Sequence, residues 1–208
     1  MGTLFSINSP LWNFMDKVLH LLLLNLLWFV CCIPIVTIGA STTALYSVML
    51  KYTRDQEGYI IREFFRAFRK NFLSSTAVWF LMAAIGIFLG ADAIVYLRSY
   101  AVGVFDMILM TAFFSGVLMY VFVNLYIYAL IAAFQNTIFH FLKNALLLSV
   151  CHWPASLLMI VGGVSLFTVG MLVFPPLLFG GFALFSYVCS KYFNRIFYRF
   201  ADGSHLSE

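Results

Sequence analysis

Apolar positions dominate the chain, and the few polar ones divide it. From Val18 to Leu50 there is no Lys, Arg, Asp or Glu across 33 residues. One straight helix of that length would measure about 50 Å at its usual rise, longer than a bilayer core of about 30 Å. Pro34 and Gly39 bracket the segment PIVTIG inside this run, and two readings are open. In one, a hairpin turns between Pro34 and Gly39, with residues 11–33 rising and residues 40–52 returning. In the other, residues 18–38 span once and residues 41–52 lie along the interface.

The next stretch breaks the pattern. Ile60, Ile61, Phe64, Phe65, Phe68 and Phe72 recur at three- and four-residue intervals, with Arg62, Glu63, Arg66, Arg69 and Lys70 between them. That is the period of an amphipathic helix with one apolar and one basic face. It predicts a helix over residues 57–72 lying in the cytoplasmic interface. Beyond it, spans are expected over residues 77–97 and 107–134, with a short outer loop over residues 98–106. Residues 135–144, reading QNTIFHFLKN, form a polar interruption. Residues 145–174 are apolar but broken by His152 and Pro154. Pro175-Pro176 makes a turn, residues 177–190 descend, and KYFNRIFYRF lies at the interface.

The charges orient this layout. Eleven of the twelve Lys and Arg residues fall in segments placed inside, and Arg98 alone falls outside, between Asp92 and Asp106. The positive-inside rule asks for this bias. The N-terminal side is less decided, because Asp16 and Lys17 oppose one another. A short internal echo bears on it: Phe65-Arg-Ala-Phe-Arg-Lys70-Asn71 resembles Phe139-His-Phe-Leu-Lys143-Asn144, the two Lys-Asn pairs lie 73 residues apart, and Trp12-Asn-Phe-Met-Asp-Lys17 is a fainter third copy. Two spans follow each, which favours three helical hairpins. The expected fold is an all-α polytopic transmembrane bundle of six spans, with five as the alternative. Residues 1–208 form a single membrane domain, and both termini are inside.

Composition agrees. The chain is 63% hydrophobic and 10% charged, with mean hydropathy +0.99, where soluble domains carry about 25% charged residues. The start of the chain lacks the basic n-region and clean cleavage site of a signal peptide, and Met1-Gly2 with Ser6 matches the loose myristoylation pattern by chance. Cys31, Cys32, Cys151 and Cys189 lie in apolar surroundings without a CxxC, so they read as packing residues rather than metal ligands.

The words Asn25-Leu-Leu-Trp28, Cys32-Ile-Pro34, Thr37-Ile-Gly39 running through Leu45-Tyr46, and Asp55-Gln-Glu57-Gly58-Tyr59 running into Phe64-Phe65 cover roughly the first third of the chain. In combination they resemble the YesL family of bacterial integral membrane proteins, a domain of unknown function. The resemblance implies a bacterial plasma-membrane protein with a link to carbohydrate uptake. Its partner would be a sugar transporter of the ATP-binding-cassette type or its sensor system. It supplies no catalytic residues.

Candidate chemistry is sparse. Polar groups inside a bilayer are costly and each needs a reason. Ser41, Thr42, Thr43, Asp92 and Asn124 are the candidates for a polar pathway. Their structural readings are close helix packing for Ser41–Thr43, an interfacial carboxylate for Asp92, and a self-satisfied stripe for Asn124 with Tyr120 and Tyr128. His20, His140 and His152 have no regular spacing to one another. No Walker A loop, GxSxG, HExxH or Asp-rich metal motif is present, so neither an enzyme nor a cofactor is expected. The basic helix already has a topological explanation, and nucleic acid is not an expected partner.

Two functions follow. The first is an accessory membrane protein that contacts lipid or a protein partner through Arg62, Phe64, Phe65, Arg66, Phe68, Arg69 and Lys70. The face made by Ile61, Phe64, Phe65 and Phe68 suits a helix-in-groove contact. The second is a small transporter or channel. A polar cavity reaching the midplane would favour transport, and a packed bundle would favour the accessory role.

Overall fold

The computed structural model describes residues 10–54, 59–98, 103–172 and 176–204. Among them there are seven α-helices and no strand. Four of the helices are long and apolar enough to cross a membrane, over Met15–Cys32, Ile60–Ile94, Asp106–Ala133 and Trp153–Leu172. The protein is therefore a membrane-embedded helical bundle.

Helix α1 (Pro10–Cys32) opens on a proline, which loses no intrahelical hydrogen bond in the first turn. Pro34 stops it. The chain turns through a short 3-10 segment, Ile35–Thr37, and enters α2 (Ile38–Tyr52). The hairpin reading of the first apolar run is the one observed. Thr37 Oγ1 donates to the carbonyls of Cys31 (2.6 Å) and Pro34 (2.7 Å), which closes the turn. At 15 residues, α2 is shorter than the roughly 20 a full span takes. A count of six full spans is thus not met by helix length.

Helix α2 is the centre of the bundle. It packs against α1, α3, α4 and α7, and eleven of its residues are buried. Small residues make this possible. A Cβ on Gly39 would lie 2.6 Å from the Ser75 carbonyl oxygen and 2.7 Å from Trp79 Cβ. Only glycine lets α2 and α3 approach so closely.

Helix α3 (Ile60–Arg98) is one uninterrupted helix of 39 residues, about 58 Å long. The expected separate helix over residues 57–72 is thus corrected: from Ile60 onward it is the first part of the same rod as the following span. Glu57 and Gly58 lie outside the described residues. No Gly or Pro occurs between Ile60 and Ile85, so nothing ends the amphipathic segment before the apolar one begins.

Helix α4 (Val104–Ala133) starts with the Gly103 N–H donating to Asp106 Oδ2 (3.1 Å). It is pinned to α3 by Tyr120 Oη donating to the Met82 carbonyl (2.9 Å). The interruption after α4 is shorter than QNTIFHFLKN: α5 (Ile138–Cys151) resumes at Ile138 and folds back on α4. Phe141, Ala145 and Leu148 of α5 enter the main core with Tyr126, Ile127 and Leu130 of α4. His152 separates α5 from α6 (Trp153–Leu172), where Pro154 forces the break. Helix α7 (Pro176–Ser204) is continuous, so the C-terminal basic segment extends the helix rather than forming a separate interfacial piece. Asn194 ties it to the end of α2, donating to the Leu50 carbonyl (2.9 Å) and to Thr53 Oγ1 (2.6 Å) and accepting from Arg54 Nε (2.8 Å).

Candidate functional site

The basic half of α3 divides its side chains by contact. Phe64 is fully buried, in a cluster that also holds Leu24 of α1, Leu45 and Met49 of α2 and Ala183 of α7. Phe68 is half-buried, while Phe65 and Ile61 are exposed. The apolar face read as a lipid or partner surface is therefore split. Phe64 and Ala67 are spent on the protein's own interior, because α2 occupies the groove that a partner would have supplied. Arg62, Arg66, Arg69 and Lys70 are all exposed.

Residues of α2, α3 and the α4–α5 connection line a polar cleft. One part, of about 430 Å³, is lined by Lys70, Asn71 and Ser74 of α3 and by Gln135, Asn136 and Thr137 of the α4–α5 connection. A second recess, of about 200 Å³, continues along Ser47 and Lys51 of α2 and Glu63 and Arg66 of α3. Lys51 Nζ contacts Glu63 Oε2 at 2.5 Å, and Arg66 Nη1 lies 3.9 Å from the other Glu63 oxygen. One carboxylate thus faces the three cations Lys51, Arg66 and Lys70, leaving the cleft positive. Among the described residues Lys70 makes no ion pair. The N-terminus of α5 opens onto the same cleft, and Thr137 provides no side-chain cap for it. Its free N–H groups add to the positive field. The arrangement can hold an acidic group.

The residues read as a polar pathway are not brought together. Ser41, Thr43 and Ser75 have no exposed surface, and Ser75 Oγ donates to Thr43 Oγ1 at 2.9 Å. Thr42 Oγ1 donates to the Ile38 carbonyl (2.8 Å) and accepts from Trp28 Nε1 (3.2 Å). Asn124 Nδ2 donates to the Tyr120 carbonyl of its own helix at 3.1 Å. Asp92 lies 17 residues beyond Ser75 on α3, about 25 Å along the axis. The three histidines are also apart: His20 sits 3.4 Å from Asp16, His140 is exposed on α5, and His152 is at the α5–α6 joint. All four cysteines are free. Among the described residues no three His, Cys, Asp or Glu side chains group to hold a metal.

Sequence reasoning missed Lys51, Asn71, Gln135, Asn136 and Thr137 as parts of one site. The signal was the polar triplet QNT between two apolar helices, together with the Lys-Asn echo.

Residues 21–93 match the family described as a protein of unknown function, DUF624. This is the domain found in YesL-like proteins, so the resemblance read from residues 25–65 holds. Comparison with curated proteins and with solved structures gives no match. The DUF624 segment takes in most of α1, the hairpin, α2 and α3 as far as Ala93. It supplies the Lys51, Glu63, Arg66 and Lys70 wall of the cleft, and the α4–α5 connection supplies the other.

Proposed function

We propose that this protein is a non-enzymatic accessory protein of the bacterial plasma membrane, with both termini cytoplasmic. It binds an acidic cytoplasmic segment of a carbohydrate-uptake transporter or its sensor. The observation that carries this reading is the positive cleft between α3 and the α4–α5 connection, with Lys70 free of any ion pair among the described residues. The link to carbohydrate uptake rests on the YesL resemblance. The packed state of Ser41, Thr43 and Ser75, which have no exposed surface, supports this role over a transport pathway along those residues. The mode of contact differs from a helix laid in a groove, since Phe64 is already used by the bundle. Recognition is by charge at the cleft mouth.

The test is photo-crosslinking from Ser74, on the cleft wall, in native-level membranes. A transporter or sensor subunit should be captured, and the double change Arg66→Gln, Lys70→Gln should abolish capture without lowering accumulation. Undiminished capture by the double variant would overturn the proposal.

A further inference from the structure

The first hairpin is shorter than the helix it packs against. Helices α2 and α3 run antiparallel. Lys51 meets Glu63 at one end, Ser75 bonds Thr43 further along, and Gly39 lies against Ser75 and Trp79 at the other end. The turn at Ile35–Thr37 also contacts α3, so the apex of the hairpin sits near Trp79. Beyond Trp79, α3 continues for 19 residues to Arg98.

Residues 71–91 of α3 carry no charge, and those 21 residues measure about 31 Å, one bilayer core. On that scale the apex lies about 12 Å in from Asn71 and about 20 Å short of Asp92.

Two further observations agree. Past the apex, Ile87 and Phe88 of α3 and Met110 and Phe114 of α4 expose large apolar side chains, which need lipid around them. The apex itself is apolar, with Ile33 72% and Ile35 67% exposed. Several of its backbone groups are also satisfied, as lipid favours, where an unsatisfied polar group is costly. Pro34 has no N–H to satisfy, the Thr37 N–H donates to the Pro34 carbonyl (2.9 Å), and the Thr37 hydroxyl covers the Cys31 and Pro34 carbonyls.

We infer that α1–α2 is a re-entrant hairpin. It enters from the cytoplasmic side, turns inside the bilayer at Ile33–Thr37, and returns without reaching the outer surface. Helix α1 is long enough to cross, but its turn is held at the depth of Trp79. Helices α3 and α4, the α5–α6 pair and the 29-residue α7 make four complete crossings, and the termini stay on one side.

The test uses the full chain with its four native cysteines replaced by serine, carrying Val36→Cys or Ile35→Cys at the apex. Tyr100→Cys, which follows Arg98 in the sequence, serves as the outer reference. A membrane-impermeant maleimide added to intact cells should label Tyr100→Cys and neither apex variant. In proteoliposomes, bimane attached at either apex cysteine should be quenched most by lipids brominated near the ends of their acyl chains. Labelling of an apex cysteine from outside at the rate of Tyr100→Cys would overturn the inference. So would strongest quenching by lipids brominated close to the headgroup. Two apex positions keep the test decisive where one variant fails to fold.

Discussion

Helices α2 and α6 are both free of charge over most of their length, yet they sit in opposite environments. Helix α2 buries eleven residues, among them Gly39, Ala40, Ser41, Thr42, Thr43 and Ala44. Helix α6 buries only Ser156, Met159 and Gly170, and exposes Leu158, Val161, Val164 and Phe167. The less apolar of the two is the inner one. In lipid there is no hydrophobic gain in moving a leucine from acyl chains to a protein interior. Close packing and interhelical hydrogen bonds decide the interior instead. Small and hydroxyl-bearing residues go inside, and large aliphatic ones stay outside.

The comparison is sharpened most by core aromatics. Phe64→Ala empties a fully buried site in the cluster that includes Leu45 and Met49. It should cost about 3–5 kcal/mol of stability, read as a lower midpoint in denaturing-detergent titration. Phe167→Ala on the exposed face of α6 should shift that midpoint by less than about 0.5 kcal/mol. Equal losses would mean that α6 is covered by protein.

Glycines come next. Gly39→Val drives a side chain into the Ser75 carbonyl and Trp79 and should cost on the order of 1–3 kcal/mol through overpacking. Gly162→Val on α6, where a Cβ would meet nothing within 4 Å, should leave thermal stability in detergent unchanged or raise it. A harmless Gly39→Val would show that α2 and α3 are free to move apart.

The smallest expected effect is at the buried hydroxyl pair. Thr43→Val removes the acceptor of the Ser75 hydroxyl and should cost about 1 kcal/mol. Thr168→Val on α6 removes a bond made only to the carbonyl of Val164 in the same helix, and its midpoint should not move. Double-mutant analysis of Thr43→Val with Ser75→Ala would separate this bond from local packing. Additive losses would mean that the two hydroxyls do not interact.

Much of this architecture was legible in the sequence. Pro34 and Gly39 marked the hairpin turn, and His152 with Pro154 marked the α5–α6 break, because backbone breakers act locally. The continuity of α3 was not legible. Its amphipathic and apolar parts share one helical period, and a change of composition without Gly or Pro does not end a helix. The cleft was not legible either, since its walls around Lys70 and Gln135 are far apart in the chain. The Lys-Asn echo pointed toward it without naming its other side.

By itself the sequence determined the class, the turns and the charge asymmetry that marks one end of the bundle. Each follows from local chemistry: charge density, backbone breakers and helical period. Which apolar faces meet lipid and which meet protein was decided only by the tertiary structure. Hydropathy is nearly the same for both surroundings, and shape is what distinguishes them. Gly39 against Ser75, Phe64 beneath α2, and a hairpin that ends beside Trp79 are facts of fit between helices, which no single segment contains.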